Sequence, residues 1–323
     1  MIQSVMVTGA TGFVGRHVVR ELLARGLKAV CVVRSPNRLR AQHPDVDESL
    51  LLAISGSLAD QDALRKAAGE SDAAIHLVGI IITRVLQRQT FKGIHVQGTQ
   101  NVVNAVRAAG IRRFVHMSAL GTHADAKSAY HKTKWTAEQS VVGSGLDWTI
   151  FRPSLIHGPD GEFVRLLKRL LCSSLPPIIP YFGKGQARVQ PVYVGDVAYC
   201  FVEALSRNDT IGKTFSLGGP KAYTWVELYN ACRAIMPGAK RWKPLVSLPV
   251  PLAKLAAMAS AAPMAIAEFI VPSSGIFRFD RGQVQMSQED NVCDHTLAEQ
   301  TFGITVRPFE EELASYIRGT KLS

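Results

Sequence analysis

Three side chains in the first half of the chain have the types and the spacing that proton transfer needs: Ser118, Tyr130 and Lys134. Tyr130 and Lys134 are four positions apart, so a helix places both on one face. A phenol has an ordinary pKa of about 10, and a neighbouring ammonium favours the phenolate and lowers that pKa. The spacing therefore predicts that Tyr130 exchanges a proton with a carbonyl or an alcohol while Ser118 polarises the same oxygen. The alternative is a core tyrosine and a surface lysine that fall four apart by chance.

A glycine-rich turn at the start of the chain has the layout that holds a dinucleotide pyrophosphate. A short apolar strand leads into the sequence TGATGFVG at positions 8–15, and an amphipathic helix follows. Gly9 permits a tight turn, Gly12 lets backbone N–H groups approach the phosphates, and Gly15 lets the helix pack close to the strand. The positive end of the helix dipole faces the anion. We expect cofactor contacts from the residues of this turn, namely Gly9, Thr11, Gly12, Phe13, Val14 and Gly15.

The charge at the end of the second predicted strand indicates which dinucleotide is bound. Arg34 stands about 20 residues after the glycine turn, where NAD-preferring sites carry an acidic residue for the ribose 2′-hydroxyl. A guanidinium instead suits the 2′-phosphate of NADP(H), and Arg38 and Arg16 can add to that pocket. A solvent-exposed strand-end arginine is the alternative, and NAD(H) is the less favoured cofactor. Further cofactor contacts are expected at later strand ends and on the catalytic helix, from Ser57, Leu58, Val78, Gly79, Tyr130, Lys134 and Pro153.

Alternating short apolar strands and amphipathic helices must position these residues. After the first strand, the pattern predicts strands over 29–33, 50–55, 72–78, 113–117 and 147–152 and, among others, helices over about 95–109 and 130–142. Such alternation predicts an α/β fold with a doubly wound parallel sheet, the Rossmann arrangement. Beyond Pro153 prolines cluster and the rhythm weakens, which predicts a smaller C-terminal lobe. We expect a nucleotide-binding domain over 1–155, completed by parts of 189–218, and a smaller substrate or partner lobe over 156–323.

Composition bounds the class of protein. The chain has 323 residues, of which 47% are hydrophobic and 20% charged, as expected for a globular protein with a substantial core. A formal net charge of +11 indicates a basic solvated surface, with attraction to phosphates or to an anionic membrane surface as the functional alternative. No basic stripe is interleaved with aromatic residues, which argues against nucleic-acid binding.

Cysteine usage and hydropathy give further expectations about metal sites and location. The five cysteines are scattered without a Cys-x-x-Cys pair, so neither a disulfide framework nor a metal site is expected. No signal peptide precedes the first strand, and no uncharged apolar run reaches the ~18 residues of a spanning helix. We expect a cytoplasmic protein, with peripheral attachment to the inner face of a membrane as a further expectation.

With these residues in place, the chain resembles the extended and atypical short-chain dehydrogenases/reductases. The resemblance is carried by TGATGFVG, Ser118, Tyr130 with Lys134, and RPS at 152–154 with GP at 158–159. The segments QPVYVGDV at 190–197, GKTF at 212–215, DRGQV at 280–284 and EDN at 289–291 resemble, more narrowly, the nucleotide-binding accessory subunit of respiratory complex I and its bacterial relatives.

This resemblance implies a tightly held NADP(H) and an association with membranes or membrane complexes. The resemblance to the complex I subunit further implies that the bound nucleotide serves assembly or stability rather than turnover. Three positions depart from the extended family, and one of them is Gly195, where a bulkier residue or an aspartate is usual, although Asp196 is kept. His95 stands where an asparagine often supports the active site, and Ser57 replaces the usual aspartate near the adenine.

Three functions fit these observations. The first is an NADP(H)-dependent oxidoreductase that acts on an apolar carbonyl or quinone-like substrate. The second is a non-turnover NADPH-binding accessory or assembly protein of a membrane complex. The third is an NAD-dependent epimerase or dehydratase, ranked last because Arg34 favours NADP. The apolar segment 244–277, in which Lys254 and Glu268 are the only charged residues, is either a lipid contact or a buried helix of the second lobe.

Overall fold

The computed structural model of the protein describes residues 1–81, 90–251 and 281–320. The expectation of a lipid contact over 244–277 therefore lies, beyond residue 251, outside the described residues. Among the described residues, no helix combines the length and the apolar character needed to cross a membrane.

Seven parallel strands form the main sheet: β1 Ser4–Thr8, β2 Lys28–Val33, β3 Leu51–Ser55, β4 Ala73–His76, β5 Arg113–Met117, β6 Asp147–Pro153 and β11 Lys213–Leu217. Their order across the sheet is β11-β6-β5-β4-β1-β2-β3. Because all seven run in one direction, their carboxyl ends meet at one edge of the sheet. The strand order reverses between β1 and β4, which opens the crevice where such sheets bind ligands. The prediction of a doubly wound parallel sheet is confirmed.

Helices connect these strands, as expected for a parallel sheet. They are α1 Phe13–Ala24, α2 Pro36–Gln42, α3 Gln61–Gly69, α4 Gly98–Ala108, α5 Ala129–Val142 and α7 Val194–Ser206. Local sequence sets where several begin: Ser35, Asp60 and Ser128 each accept a backbone N–H at the N-cap of α2, α3 and α5. The buried faces of α3, α4 and α5 pack with the sheet into one core cluster, which includes Leu64, Val103 and Val141.

The bounds of the strands and helices follow the sequence prediction closely, but one helix differs in type at its start. β4 ends at His76, two residues before the predicted end, and α5 begins one residue earlier than predicted. The helix predicted from His95 instead begins as a π-helical turn over Lys92–Gln97 that continues into α4. This turn places His95 in the site described below.

Packing divides the chain into two units. The first contains Met1–Pro153, Val194–Leu217 and Asp294–Thr305. The sequence reasoning places residues 294–305 in the smaller lobe, whereas helix Thr296–Phe302 packs in the first unit. Packing of aromatic rings explains this position. The centroid of the Phe302 ring lies 5.5 Å from that of Phe151 and 5.1 Å from that of Phe215.

The second unit contains Ser154–Tyr193, Gly218–Cys293 and Val306–Ser323. Its strand pairs are short, and it contains a separate core cluster that includes Leu167, Leu228 and Leu313. The strands are β7 Ile156–His157, β8 Ile179–Phe182, β9 Arg188–Val189, β10 Val192–Tyr193, β12 Tyr223–Thr224 and β13 Leu245–Leu248. The helices are α6 Glu162–Cys172, α8 Trp225–Ile235, Arg281–Met286 and Phe309–Tyr316.

Candidate nucleotide-binding and catalytic site

The glycine turn between β1 and α1 has the geometry of an anion cradle. Gly9 has a φ of +83°, a conformation that favours glycine, and its carbonyl accepts the N–H of Gly12 at 2.9 Å. Gly12 is the N-cap of α1 and makes no side-chain capping bond, and the first turn contains no acidic residue. The first N–H groups of a helix lack intrahelical partners. They are therefore available to an anion that approaches the exposed Gly12.

Gly15 allows α1 to lie against this turn. A Cβ at Gly15 would stand 2.0 Å from the carbonyl oxygen of Gly9 and 2.8 Å from the Cα of Ala10. Both are backbone atoms, so no side-chain rotation can relieve the overlap. Phe13 and Val14, between the second and third glycines, begin the helix, and the guanidinium carbon of Arg16 lies 5.5 Å from the centroid of the Phe13 ring.

The two arginines expected to select the nucleotide follow β2 directly. Arg34 comes immediately after the last residue of β2, and Arg38 lies on α2; both side chains are exposed. β2 is the neighbour of β1 in the sheet, so both arginines lie at the same sheet edge as the glycine turn. Their exposure leaves the two guanidinium groups accessible to a 2′-phosphate.

Two further residues expected to contact the cofactor, Ser57 and Leu58, lie after β3, two strands from the turn. The Oγ of exposed Ser57 accepts the N–H of Ala59 at 3.2 Å, which shapes the loop before α3. The carbonyl of Leu58 accepts the side-chain amide of Asn101 at 2.8 Å. The Leu58 side chain packs against α4, where a Cβ at Gly98 would stand 2.6 Å from its Cδ1.

The loop after β4 links the glycine turn to Lys134, the lysine of the predicted catalytic set. A Cβ at Gly9 would lie 3.2 Å from Cγ2 of Val78, so the turn and this loop are in contact. A Cβ at Gly79 would lie 3.6 Å from Nζ of Lys134 and 3.8 Å from Nε2 of His95. The structure thus brings the loop of Val78 and Gly79 close to both Gly9 and Lys134, which are distant from it in the sequence.

Lys134 is held at the carboxyl end of β5. Its Nζ donates a hydrogen bond to the carbonyl of Met117 at 2.6 Å, and only 2% of the residue is exposed. Burial lowers its pKa to about 8, an effect that the carboxylate of Glu138 opposes. Glu138 is in turn bound by Arg152 of β6, with Nε–Oε1 and Nη2–Oε2 distances of 2.9 and 2.5 Å. α5 is therefore fixed to two strands of the sheet.

Ser118 follows Met117 directly. Its N–H donates to the carbonyl of Phe151 at 2.7 Å, and its buried hydroxyl donates to Oγ1 of Thr122 at 3.4 Å. The carbonyl of Pro153, at the end of β6, accepts the N–H of Leu120 at 2.9 Å. These backbone bonds hold the Ser118 segment against the end of β6.

Tyr130 is half-buried on the same helix as Lys134, among aromatic rings. Its ring centroid lies 5.4 Å from that of His95, 6.0 Å from that of Phe91 and 5.1 Å from that of His131. Burial raises its pKa to about 12. The expectation that the lysine lowers this pKa is therefore wrong, because burial raises it, and the Lys134 ammonium bonds to the Met117 carbonyl.

The contacts of His95 join the elements of the site. Nδ1 lies 2.9 Å from Oγ1 of Thr133 on α5, and Nε2 lies 3.1 Å from both the N and the O of Ile80. Burial, then the charge of Lys134, lowers its pKa to about 3, so the ring is neutral. His95 thus connects the loop after β4 to the helix that carries Tyr130.

A buried histidine pair lies beneath the crevice. His76 ends β4, and its Nδ1 lies 2.6 Å from Oγ1 of Thr8 while its Nε2 lies 3.0 Å from Oγ1 of Thr99. Its ring stacks on that of His116 at 5.3 Å, and burial lowers the pKa of both. Sequence reasoning missed His76, which ties the residue before Gly9 to β4 and α4.

These features define a Rossmann-type dinucleotide-binding protein. A family model described as the NAD dependent epimerase/dehydratase family matches residues 5–218. The chain belongs to this family, which confirms the resemblance to short-chain dehydrogenases/reductases.

Individual relatives cover most of the chain. It is 28% identical over 283 residues to NADH dehydrogenase (ubiquinone) 1 alpha subcomplex subunit 9, mitochondrial, of Arabidopsis thaliana, covering 85% of this chain and 67% of that protein. It is 31% identical over 249 residues to a ceramide reductase of Caulobacter vibrioides, covering 76% of this chain and 74% of that protein. The narrower resemblance to complex I accessory subunits is thereby confirmed.

A solved structure supports the fold. The dTDP-glucose 4,6-dehydratase DesIV from Streptomyces venezuelae, solved with NAD bound, superposes with a TM-score of 0.72 over 98% of this chain and 96% of its own. Its sequence identity is 20%, so this likeness concerns the fold alone.

Proposed function

We propose that this protein is an NADP(H)-dependent oxidoreductase whose Ser118, Tyr130 and Lys134 act on a carbonyl or alcohol. One observation carries the proposal. The bond from Lys134 Nζ to the carbonyl of Met117 holds the helix of Tyr130 against the strand end that leads into Ser118. This strand end and the glycine turn share one edge of the sheet.

The residues present fit a dinucleotide. Gly12 and the uncapped start of α1 suit a pyrophosphate, and the crowding at Gly15 shows that the turn and the helix are closely packed. Arg34 and Arg38 supply positive charge where a 2′-phosphate would lie. When bound, the nicotinamide supplies or accepts the hydride.

Tyr130 supplies the proton in the direction of reduction. With a pKa raised to about 12, its hydroxyl is protonated at neutral pH and donates to the carbonyl oxygen as the carbonyl carbon becomes an alcohol carbon. Lys134, with a pKa lowered to about 8, keeps its ammonium at neutral pH and, through its bond to the Met117 carbonyl, holds the helix that carries Tyr130. Ser118 donates a hydrogen bond to the same substrate oxygen.

The substrate we propose is an apolar carbonyl or quinone-like compound. The 31% identical relative named ceramide reductase supports a lipid-like substrate. The NAD-dependent epimerase or dehydratase reaction is the less favoured enzyme function, because Arg34 stands where an NAD site carries an acidic residue.

A second candidate function is a non-turnover NADPH-binding protein that stabilises or assembles a membrane complex. It is favoured by the similarity to the complex I subunit, which extends over 85% of this chain. In this role the protein would be cytoplasmic and attached to the inner face of a membrane through subunit or anionic lipid contacts.

The rate at which NADPH leaves the purified protein tests the two candidates. The protein is loaded with NADPH and chased with excess NADP, and the nicotinamide fluorescence is followed. Release within seconds, followed by NADPH oxidation with members of a panel of apolar ketones and quinones, supports the oxidoreductase. Retention for hours without oxidation by any carbonyl compound contradicts it and supports the accessory role.

A further inference from the structure

The side chain of Gln42, the last residue of α2, reaches back to the glycine turn. Its Nε2 donates a hydrogen bond to the carbonyl oxygen of Thr11 at 3.3 Å, across 31 positions of sequence. The adjoining N–H of Gly12 donates to the carbonyl of Gly9 at 2.9 Å. A trans peptide directs its C=O and N–H to opposite sides. The peptide that precedes α1 is therefore held from both sides, and one of the two bonds comes from α2.

α2 is itself firmly placed. The N–H of Arg38 donates to Oγ of Ser35 at 3.3 Å, and Leu39 is fully buried. The helix has seven residues, so Gln42 lies about one turn beyond Arg38. β2 leads directly into Arg34. One short segment thus carries both arginines and ends in the side chain that binds the turn.

We infer that Gln42 is a positioning residue for nucleotide choice. It fixes the spacing between the turn that receives the pyrophosphate and the arginines that receive the 2′-phosphate. This inference rests on the proposed use of NADP(H). NADPH would contact the glycine turn and the two arginines at once, so its binding depends on the distance between them. NADH has no 2′-phosphate and would contact the turn alone. The bond from Gln42 to Thr11 therefore favours NADPH over NADH.

The other end of the Gln42 amide argues against a role in packing alone. Its Oε1 is buried and, among the described residues, has no hydrogen-bond partner. Burying such an oxygen costs stability. An apolar side chain of similar length would fill the space without that cost, yet it would lose the bond to Thr11.

Gln42→Met tests the inference because it keeps the length and volume of the side chain and removes both ends of the amide. Dissociation constants for NADPH and NADH are measured on the purified full-length protein by calorimetry, with a thermal melt of each variant. We expect NADPH affinity to fall about threefold to tenfold, NADH affinity to change by less than about twofold, and the melting temperature not to fall. Gln42→Glu also lacks the side-chain N–H donor, and it is expected to lower the ratio of NADPH affinity to NADH affinity as well.

Gln61→Met, on the exposed first residue of α3, is the matched control and is expected to change neither affinity. The inference would be overturned if each Gln42 variant lost NADPH and NADH affinity equally, or if the ratio of the two affinities stayed at its wild-type value in both variants. Either result would leave the proposed function intact. A wild-type protein that binds NADH as tightly as NADPH would instead overturn the proposed cofactor preference. That outcome is seen before any substitution is made, so the two failures are distinguishable.

Discussion

The ammonium of Lys134 lies 2.6 Å from the main-chain oxygen of Met117, the last residue of β5. This bond joins the middle of α5 to the strand whose next residue is Ser118. The position of Tyr130 relative to Ser118 is therefore fixed by a helix and a strand, and it does not depend on the loop between them. A site built on rigid elements holds its reacting groups with the accuracy that proton transfer needs.

Tyr130→Phe is expected to lower NADPH-dependent carbonyl reduction by about 10²- to 10⁴-fold, because it removes the only proposed acid while leaving the ring in place. NADPH affinity and melting temperature are expected to remain close to those of the wild type. Turnover is measured by NADPH oxidation with any carbonyl found in the substrate panel. Tyr199→Phe is the matched control, since Tyr199 lies on α7 against Arg25. Undiminished turnover in Tyr130→Phe would exclude the phenol as the acid.

Lys134→Met is expected to alter how stability depends on pH. The pKa of Lys134 is lowered from 10.5 to about 8 by burial, so the unfolded chain binds the proton more tightly than the folded one. Keeping the lysine charged thus costs the folded protein about 3 kcal/mol below pH 8, and this cost disappears as pH rises to about 10.5. Relative to the methionine variant, the wild type therefore gains about 3 kcal/mol of stability over that interval.

Urea unfolding of both proteins at several pH values between 7 and 10.5 measures this difference. Lys132→Met changes an exposed lysine of the same helix and serves as the control. If the stability difference between wild type and Lys134→Met were constant across this range, the Lys134 pKa would not be lowered by burial.

The sequence predicts the sheet and the helix of Tyr130 and Lys134 well because both depend on local patterns. β5 lies where alternation of strand and helix predicts it, and α5 begins beside the N-cap Ser128. Contacts between distant segments leave no such signal. Gln42 and Thr11 are joined only in the folded chain, and nothing in their spacing indicates the bond.

The same limit explains the pKa of Tyr130. The spacing of Tyr130 and Lys134 correctly places both on α5, but it does not reveal that the lysine bonds to the Met117 carbonyl. Burial of the phenol, which the sequence also does not give, then decides the direction of the pKa shift. The π-helical turn that positions His95 likewise depends on its contacts with Ile80 and Thr133.

Arg34→Ser is expected to weaken NADPH binding about tenfold and to leave NADH binding within about twofold, because the lost bond is to the 2′-phosphate alone. The exposure of Arg34 makes the effect dependent on salt, so the loss shrinks at high ionic strength. Titration of both nucleotides at low and high salt measures it. Arg65→Ser, an exposed arginine on α3, is the control. A similar loss for NADH and NADPH would contradict a specific 2′-phosphate contact.

Gly15→Ala is expected to destabilise the protein by about 3 kcal/mol and to abolish NADPH binding. Its added Cβ would stand 2.0 Å from the carbonyl oxygen of Gly9, so α1 must move away from the turn. Gly69→Ala is the matched control: a Cβ there meets nothing within 4 Å at the end of α3, and the substitution is expected to stabilise by about 0.5 kcal/mol. Chemical unfolding measures the stability of both variants, and titration measures their NADPH affinity. Together they distinguish damage to the glycine turn from the effect of any glycine-to-alanine substitution. If Gly15→Ala bound NADPH with unchanged affinity, the close packing of α1 on the turn would not be what holds the pyrophosphate.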